Sequence, residues 1–130
     1  MDSKKDVILV VDDEPDILRM ATSALSLGGF RGIVAENGSI GLEAFIQHQS
    51  EICLVLSDVV MPVLNGLQMT ARILEAQPDA KILFMSGYTD VQLDLEVKKK
   101  FPFIRKPFLP ADLIQKIRET LDSESQATQA

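Results

Sequence analysis

The chain has 130 residues, 46% of them hydrophobic, and a formal net charge of −6, which suits one domain with a substantial core. The acidic balance argues against the chain binding nucleic acid by itself, and its apolar runs are too short to span a bilayer or to read as a secretory signal. Cys53 stands alone and cannot form an intrachain disulfide, so a cytoplasmic setting is the default expectation.

Val7-Ile8-Leu9-Val10-Val11 is a β-branched apolar run and predicts a strand buried on both faces. It ends in Asp12-Asp13-Glu14-Pro15-Asp16, where acidic residues and a proline suit a helix start. Ile17, Leu18, Ala21, Ala24 and Leu25 then recur at helical spacing until Gly28-Gly29 stops the helix. Arg31 to Glu36 predicts a second strand, Asn37-Gly38 a turn, and Ile40, Ala44 and Phe45 a second helix. The third strand, Ile52-Cys53-Leu54-Val55-Leu56, runs into Ser57-Asp58, and Pro62 and Asn65-Gly66 then end it. A third helix carries Leu67, Ala71 and Leu74 and stops before Pro78. Lys81 to Met85 predicts a fourth strand ending in Ser86-Gly87. Val91 to Val97 alternates like a strand, yet Val91/Leu95 and Leu93/Val97 also fit a helix; position in the order favours the helix. Phe101 to Arg105 predicts a short fifth strand, followed by Lys106-Pro107. The last helix begins near Pro110 with Leu113, Ile114, Ile117 and Leu121 on one face. Residues 1–122 form one domain, and the polar stretch 123–130 is expected to be disordered.

Strands alternating with helices imply an α/β fold, a single five-stranded parallel sheet with helices on both faces. Parallel strands bring Asp12/Asp13, Asp58, Ser86 and Lys106 to one edge, where open α/β sheets place their chemistry. Taken alone, Asp58 reads equally well as a turn or helix-capping residue. In company it reads as part of a site. Three carboxylates at ~5 Å repel by roughly 3 kcal/mol per pair at an effective dielectric near 20. A hard divalent cation offsets this, and all-oxygen ligation points to Mg²⁺. Lys106 adds positive charge and Ser86 a hydroxyl donor. A carboxylate nucleophile in that setting fits phosphoryl transfer. Asp12 and Asp13 suit a metal-holding pair, which leaves Asp58 as the phosphoacceptor.

Four stretches in this order resemble the receiver domain of bacterial response regulators, the CheY-like family of two-component signalling. They are Val10-Val11-Asp12-Asp13-Glu14-Pro15, Asp58-Val59-Val60-Met61-Pro62-Val63-Leu64-Asn65-Gly66, Met85-Ser86-Gly87-Tyr88 and Lys106-Pro107-Phe108. The resemblance implies a flavodoxin-like sheet of strand order 2-1-3-4-5, an order the same family illustrates among doubly wound folds. It implies that Asp58 takes a phosphoryl group from a phosphohistidine on a sensor histidine kinase or histidine phosphotransfer protein. Asp13, Asp58 and the Val60 backbone carbonyl would bind Mg²⁺ directly, with Asp12 acting through water. Lys106 would hold the phosphate, with a cis bond to Pro107. Ser86 and Phe103 would form the switch; many relatives carry Tyr at the position of Phe103, so a packing change must report the switch here. Val60 and Tyr88 would tune phosphate lifetime, and an apolar Val beside a bulky Tyr favours a moderately long-lived phosphoryl state. The domain is then a switch and not an enzyme beyond its own phosphorylation and slow dephosphorylation. Its output passes to an unidentified protein partner, with no direct nucleic-acid or membrane contact. The short spacing from Ser86 to Lys106 departs from the commonest pattern. It looks more like receivers of hybrid sensor kinases than those of transcription factors, although a stand-alone regulator fits as well.

Other residues have plainer readings. His48 is expected on the surface, Lys98-Lys99-Lys100 at a solvated helix end, and Met61, Met69 and Met85 in packing roles. A flavodoxin-like cofactor-binding protein is the alternative of the same fold, but it needs a hydroxyl- and glycine-rich phosphate loop after the first strand, and here that loop is acidic. A phosphatase of the Asp-x-Asp type would need a different spacing of acids on the first strand.

Overall fold

The computed structural model describes residues 5–59, 61, 63–87 and 99–129, with backbone alone at Ser86 and 123–129. Among the described residues the chain runs β1 (Val7–Val11), α1 (Pro15–Leu27), β2 (Arg31–Ala35), α2 (Gly38–Gln47), β3 (Ile52–Asp58), α3 (Gly66–Ala76), β4 (Ile82–Ser86), β5 (Phe103–Arg105) and α4 (Pro110–Gln129). The five strands pair in parallel in the order β2-β1-β3-β4-β5. The expected flavodoxin-like α/β architecture is therefore the observed one. The ambiguous stretch 91–97, together with Tyr88 and Lys98, lies outside the described residues.

Strand period divides the core into two layers. Val7, Leu9 and Val11 of β1 join Val55, Ile82 and Phe84 beneath α2 and α3. Ile8 and Val10 join Leu54, Leu56, Leu83 and Met85 beneath α1 and α4. One irregularity breaks the alternation. Val7 pairs with Ile52 but Ile8 with Leu54, and the skipped Cys53 leans with Leu54 toward the α1/α4 layer. Cys53 is half-buried, and burial pushes its thiol pKa up, so it is a poor nucleophile. Met61, Met69 and Met85 are buried, as their expected packing roles require, and His48 closes α2 with its side chain 40% exposed, in keeping with the surface position expected of it.

The helix ends explain how the strands are delivered. Gly28 closes α1 and Gly29 follows at φ 89°, a left-handed conformation that suits glycine. Arg118 Nη2 of α4 donates to the Gly28 carbonyl at 3.0 Å and ties the two helices together. Asn37 caps α2 by accepting from Ile40 N–H at 2.9 Å. Asn65 and Gln68 form a reciprocal capping box at α3. α4 continues through 123–129, the stretch whose polar composition reads as a disordered tail; it contains neither Gly nor Pro to stop a helix.

Val63, between β3 and α3, is 80% exposed and sits at φ 72°. A β-branched residue there is strained by roughly 1–2 kcal/mol. Val63→Asn, which tolerates that conformation, should raise unfolding stability by about 1 kcal/mol in urea titration; an unchanged or lower midpoint would mean the turn carries no such strain.

Candidate functional site

The carboxyl ends of β1, β3 and β5 meet at one edge of the sheet. Asp12 follows β1 directly, and its N–H still donates to Ala35 of β2 at 3.1 Å, so the ladder fixes its backbone. Its side chain is wholly buried. Oδ1 accepts the Glu14 N–H at 2.9 Å, and Oδ2 accepts from Lys106 Nζ at 2.9 Å. Asp58 is the last residue of β3 and pairs with Met85 of β4. Its Oδ1 accepts the Val59 N–H at 2.8 Å, and its Oδ2 lies 3.3 Å from Lys106 Nζ. Asp13 is exposed, and one carboxylate oxygen from each of Asp12, Asp13 and Asp58 falls within 4.8 Å of the others.

Lys106 is delivered by β5 and followed by a cis bond to Pro107, as the resemblance implies. Its ammonium bridges Asp12 and Asp58 and also lies 3.5 Å from Glu14 Oε1. Burial works to lower its pKa, but the hydrogen bond from Lys106 to Asp12 and the charges of Asp58 and Asp12 outweigh burial, and the net direction is up. Burial likewise raises Asp12 against the pull of Lys106. Burial, with the Asp12 charge adding to it, pushes Asp58 up to about 6 even though Lys106 is beside it. One ammonium faces the carboxylates of Asp12, Asp13, Asp58 and Glu14. The site is short of positive charge, and its all-oxygen donor set suits a hard cation.

The loop after β3 is held by two close approaches. A Cβ on Gly66 would stand 2.3 Å from the Asp58 carbonyl oxygen and 2.9 Å from Phe84 Cε1. One on Gly38 would stand 2.0 Å from the Leu64 carbonyl oxygen. Gly66 N–H also donates to the Val59 carbonyl at 2.8 Å. The start of α3 is thus pressed against the backbone of Asp58 itself.

Of the residues singled out in the sequence, Asp12, Asp13, Asp58 and Lys106 come together. Ser86 ends β4 opposite Arg105; its side chain, Val60 and Tyr88 lie outside the described residues. Phe103 pairs with Phe84 in the ladder and is half-buried against the α2/α3 layer. The Arg105 guanidinium lies 6.0 Å from its ring centroid, and Phe84 and Phe101 meet edge to face at 5.3 Å nearby. Glu14, a helix-start residue within the first resembling stretch, also approaches Lys106, a contact that spacing along the chain does not reveal. The available signal was a glutamate where a better capping residue is usual.

The family model of the response regulator receiver domain matches residues 8–118. The response regulator receiver protein CpdR of Brucella abortus (strain 2308) is 31% identical over 116 residues, covering 88% of this chain and 95% of CpdR. The sensor kinase CckA of the same organism is 31% identical over 119 residues, which are 90% of this chain but 13% of CckA. The crystal structure of a response regulator receiver domain protein from Clostridium thermocellum superposes with a TM-score of 0.83 at 26% identity, covering 93% of this chain and 98% of that one. The chain belongs to the response regulator receiver domain family, the phosphoacceptor switch module of two-component signalling.

Proposed function

We propose that Asp58 accepts a phosphoryl group from a phosphohistidine of a sensor kinase or histidine phosphotransfer protein. The observation that carries this reading is the Lys106 ammonium, which lies 2.9 Å from Asp12 and 3.3 Å from Asp58 at the carboxyl edge of the sheet. A carboxylate oxygen of Asp58 attacks phosphorus, the P–N bond breaks as the P–O bond forms, and the leaving imidazole takes up a proton. Lys106 neutralises part of the charge on the transferred group, which is the main catalytic need of this reaction. Asp13 and Asp58 are the accessible carboxylates for Mg²⁺, with Asp12, buried and bonded at both oxygens, in a supporting role. Bound there, Mg²⁺ supplies charge neutralisation for the phosphoryl oxygens. The Val60 carbonyl is a further expected ligand, and Val60 and Tyr88 the expected lifetime-tuning pair.

The switch is proposed to run from Ser86 to Phe103. Phe103 sits in an aromatic and cationic setting of Phe84, Phe101 and Arg105, so its repacking alters the β5 surface that a protein partner meets. Similarity to CpdR and to a sensor kinase leaves both a stand-alone regulator and a receiver of a hybrid kinase as proposals. The acidic turn after β1 is unsuited to a cofactor phosphate. No described helix is long and apolar enough to cross a membrane.

Incubation with acetyl phosphate tests the reading by intact mass. With Mg²⁺ the protein should gain one hydroxylamine-labile phosphoryl group, and chelator should suppress the gain by at least about tenfold. Equal labelling in chelator, or a hydroxylamine-stable product, would contradict it.

A further inference from the structure

Glu14 occupies the N-cap of α1, where Ser, Thr, Asp or Asn would accept an N–H of the first turn. Its side chain makes no capping hydrogen bond. Instead its Oε1 lies 3.5 Å from Lys106 Nζ, the ammonium that Asp12 and Asp58 also share. The Glu14 N–H is fixed on Asp12 Oδ1 at 2.9 Å, so the backbone of the site sets where this side chain starts. The helix forgoes a cap and places a 64% exposed carboxylate beside the cation of the site.

We propose that Glu14 is a specificity-determining residue for the phosphodonor: it competes with an incoming phosphoryl group for Lys106 and disfavours free donors in proportion to their negative charge. The inference rests on Asp58 being the acceptor. Before transfer, Lys106 is divided among three carboxylates. After transfer it must serve the phosphoryl oxygens, and Glu14 is left facing a more highly charged group. A small anionic donor meets the same field on approach, whereas a donor presented by a protein surface can offset it with its own charges. Because Glu14 is exposed, the effect is modest and screened by salt.

Glu14→Gln keeps the shape and removes the charge. Labelling rates are compared for acetyl phosphate and the less highly charged phosphoramidate, at low and high salt. The variant should label about threefold faster with acetyl phosphate at low salt, gain clearly less with phosphoramidate, and lose most of both gains at high salt. An equal gain with both donors, or no gain while the parent is labelled at Asp58, overturns the role of Glu14 and leaves the acceptor untouched. A parent protein labelled elsewhere than Asp58 overturns the acceptor and this inference with it.

Discussion

Asp58→Asn should take up no phosphoryl group from acetyl phosphate and, in chelator at pH 7–8, should melt several degrees above the parent protein. The second result follows from the charge balance of the site. Burial, reinforced by Asp12, holds the Asp58 carboxyl at about 6 against an ordinary value of 3.8. Between those values the folded state binds more protons than the unfolded chain, so stability falls as pH rises through this window and stays lowered above it. The cost at neutral pH is on the order of 2 kcal/mol, because a tenfold change in proton affinity corresponds to about 1.4 kcal/mol and the carboxyl is partly open to solvent. Asparagine removes the charge and keeps the shape. Asp12, 2.9 Å from Lys106 Nζ in the parent, remains available to pair the ammonium in the variant. The parent should therefore lose more stability than the variant between about pH 4 and pH 6. Mg²⁺ should narrow or reverse the difference by stabilising the parent preferentially. Thermal unfolding with and without chelator reads this directly; a variant that melts lower than the parent in chelator would mean that Asp58 is held by attraction and not under strain.

Gly66→Ala should cost about 3 kcal/mol of stability and slow labelling at Asp58 by at least about tenfold. The added methyl would lie 2.3 Å from the Asp58 carbonyl oxygen, 2.9 Å from Phe84 Cε1 and 3.1 Å from Val59 Cα. Two of those neighbours are backbone and cannot rotate away, and Phe84 is fully buried. Relief must come from shifting α3 or the end of β3. Because the Asp58 backbone is one side of the clash, the acceptor moves with it. Urea unfolding measures the stability and intact mass the labelling rate. A midpoint within about 0.5 kcal/mol of the parent would show that the loop yields without disturbing β3.

Strand positions were legible because parallel strands buried on both faces are near-continuous apolar runs. Val7–Val11 is read to the residue, and the acidic, hydroxyl and amine residues that end the runs mark the edge where a site forms. Interactions that depend on three-dimensional closeness were not legible. Period and spacing place Asp12, Asp58 and Lys106 at one edge, but not the bridging of both carboxylates by one ammonium. The role of Gly66 was hidden for the same reason. Asn65-Gly66 reads as a turn signal, yet the glycine has no positive φ and is required by its approach to Asp58 and Phe84. The register skip at Cys53 has no sequence signature either, since Ile52 to Leu56 is apolar throughout.

The most direct measurement is the position of the transferred group. Purified protein is phosphorylated in Mg²⁺ with acetyl phosphate or with a phosphorylated histidine kinase, the acyl phosphate is reduced with borohydride, and the product is mapped by peptide mass spectrometry. Homoserine is expected at Asp58, with Asp12 and Asp13 unmodified. Reduction product at Asp12 or Asp13, or at none of the three while the protein is phosphorylated, would contradict it.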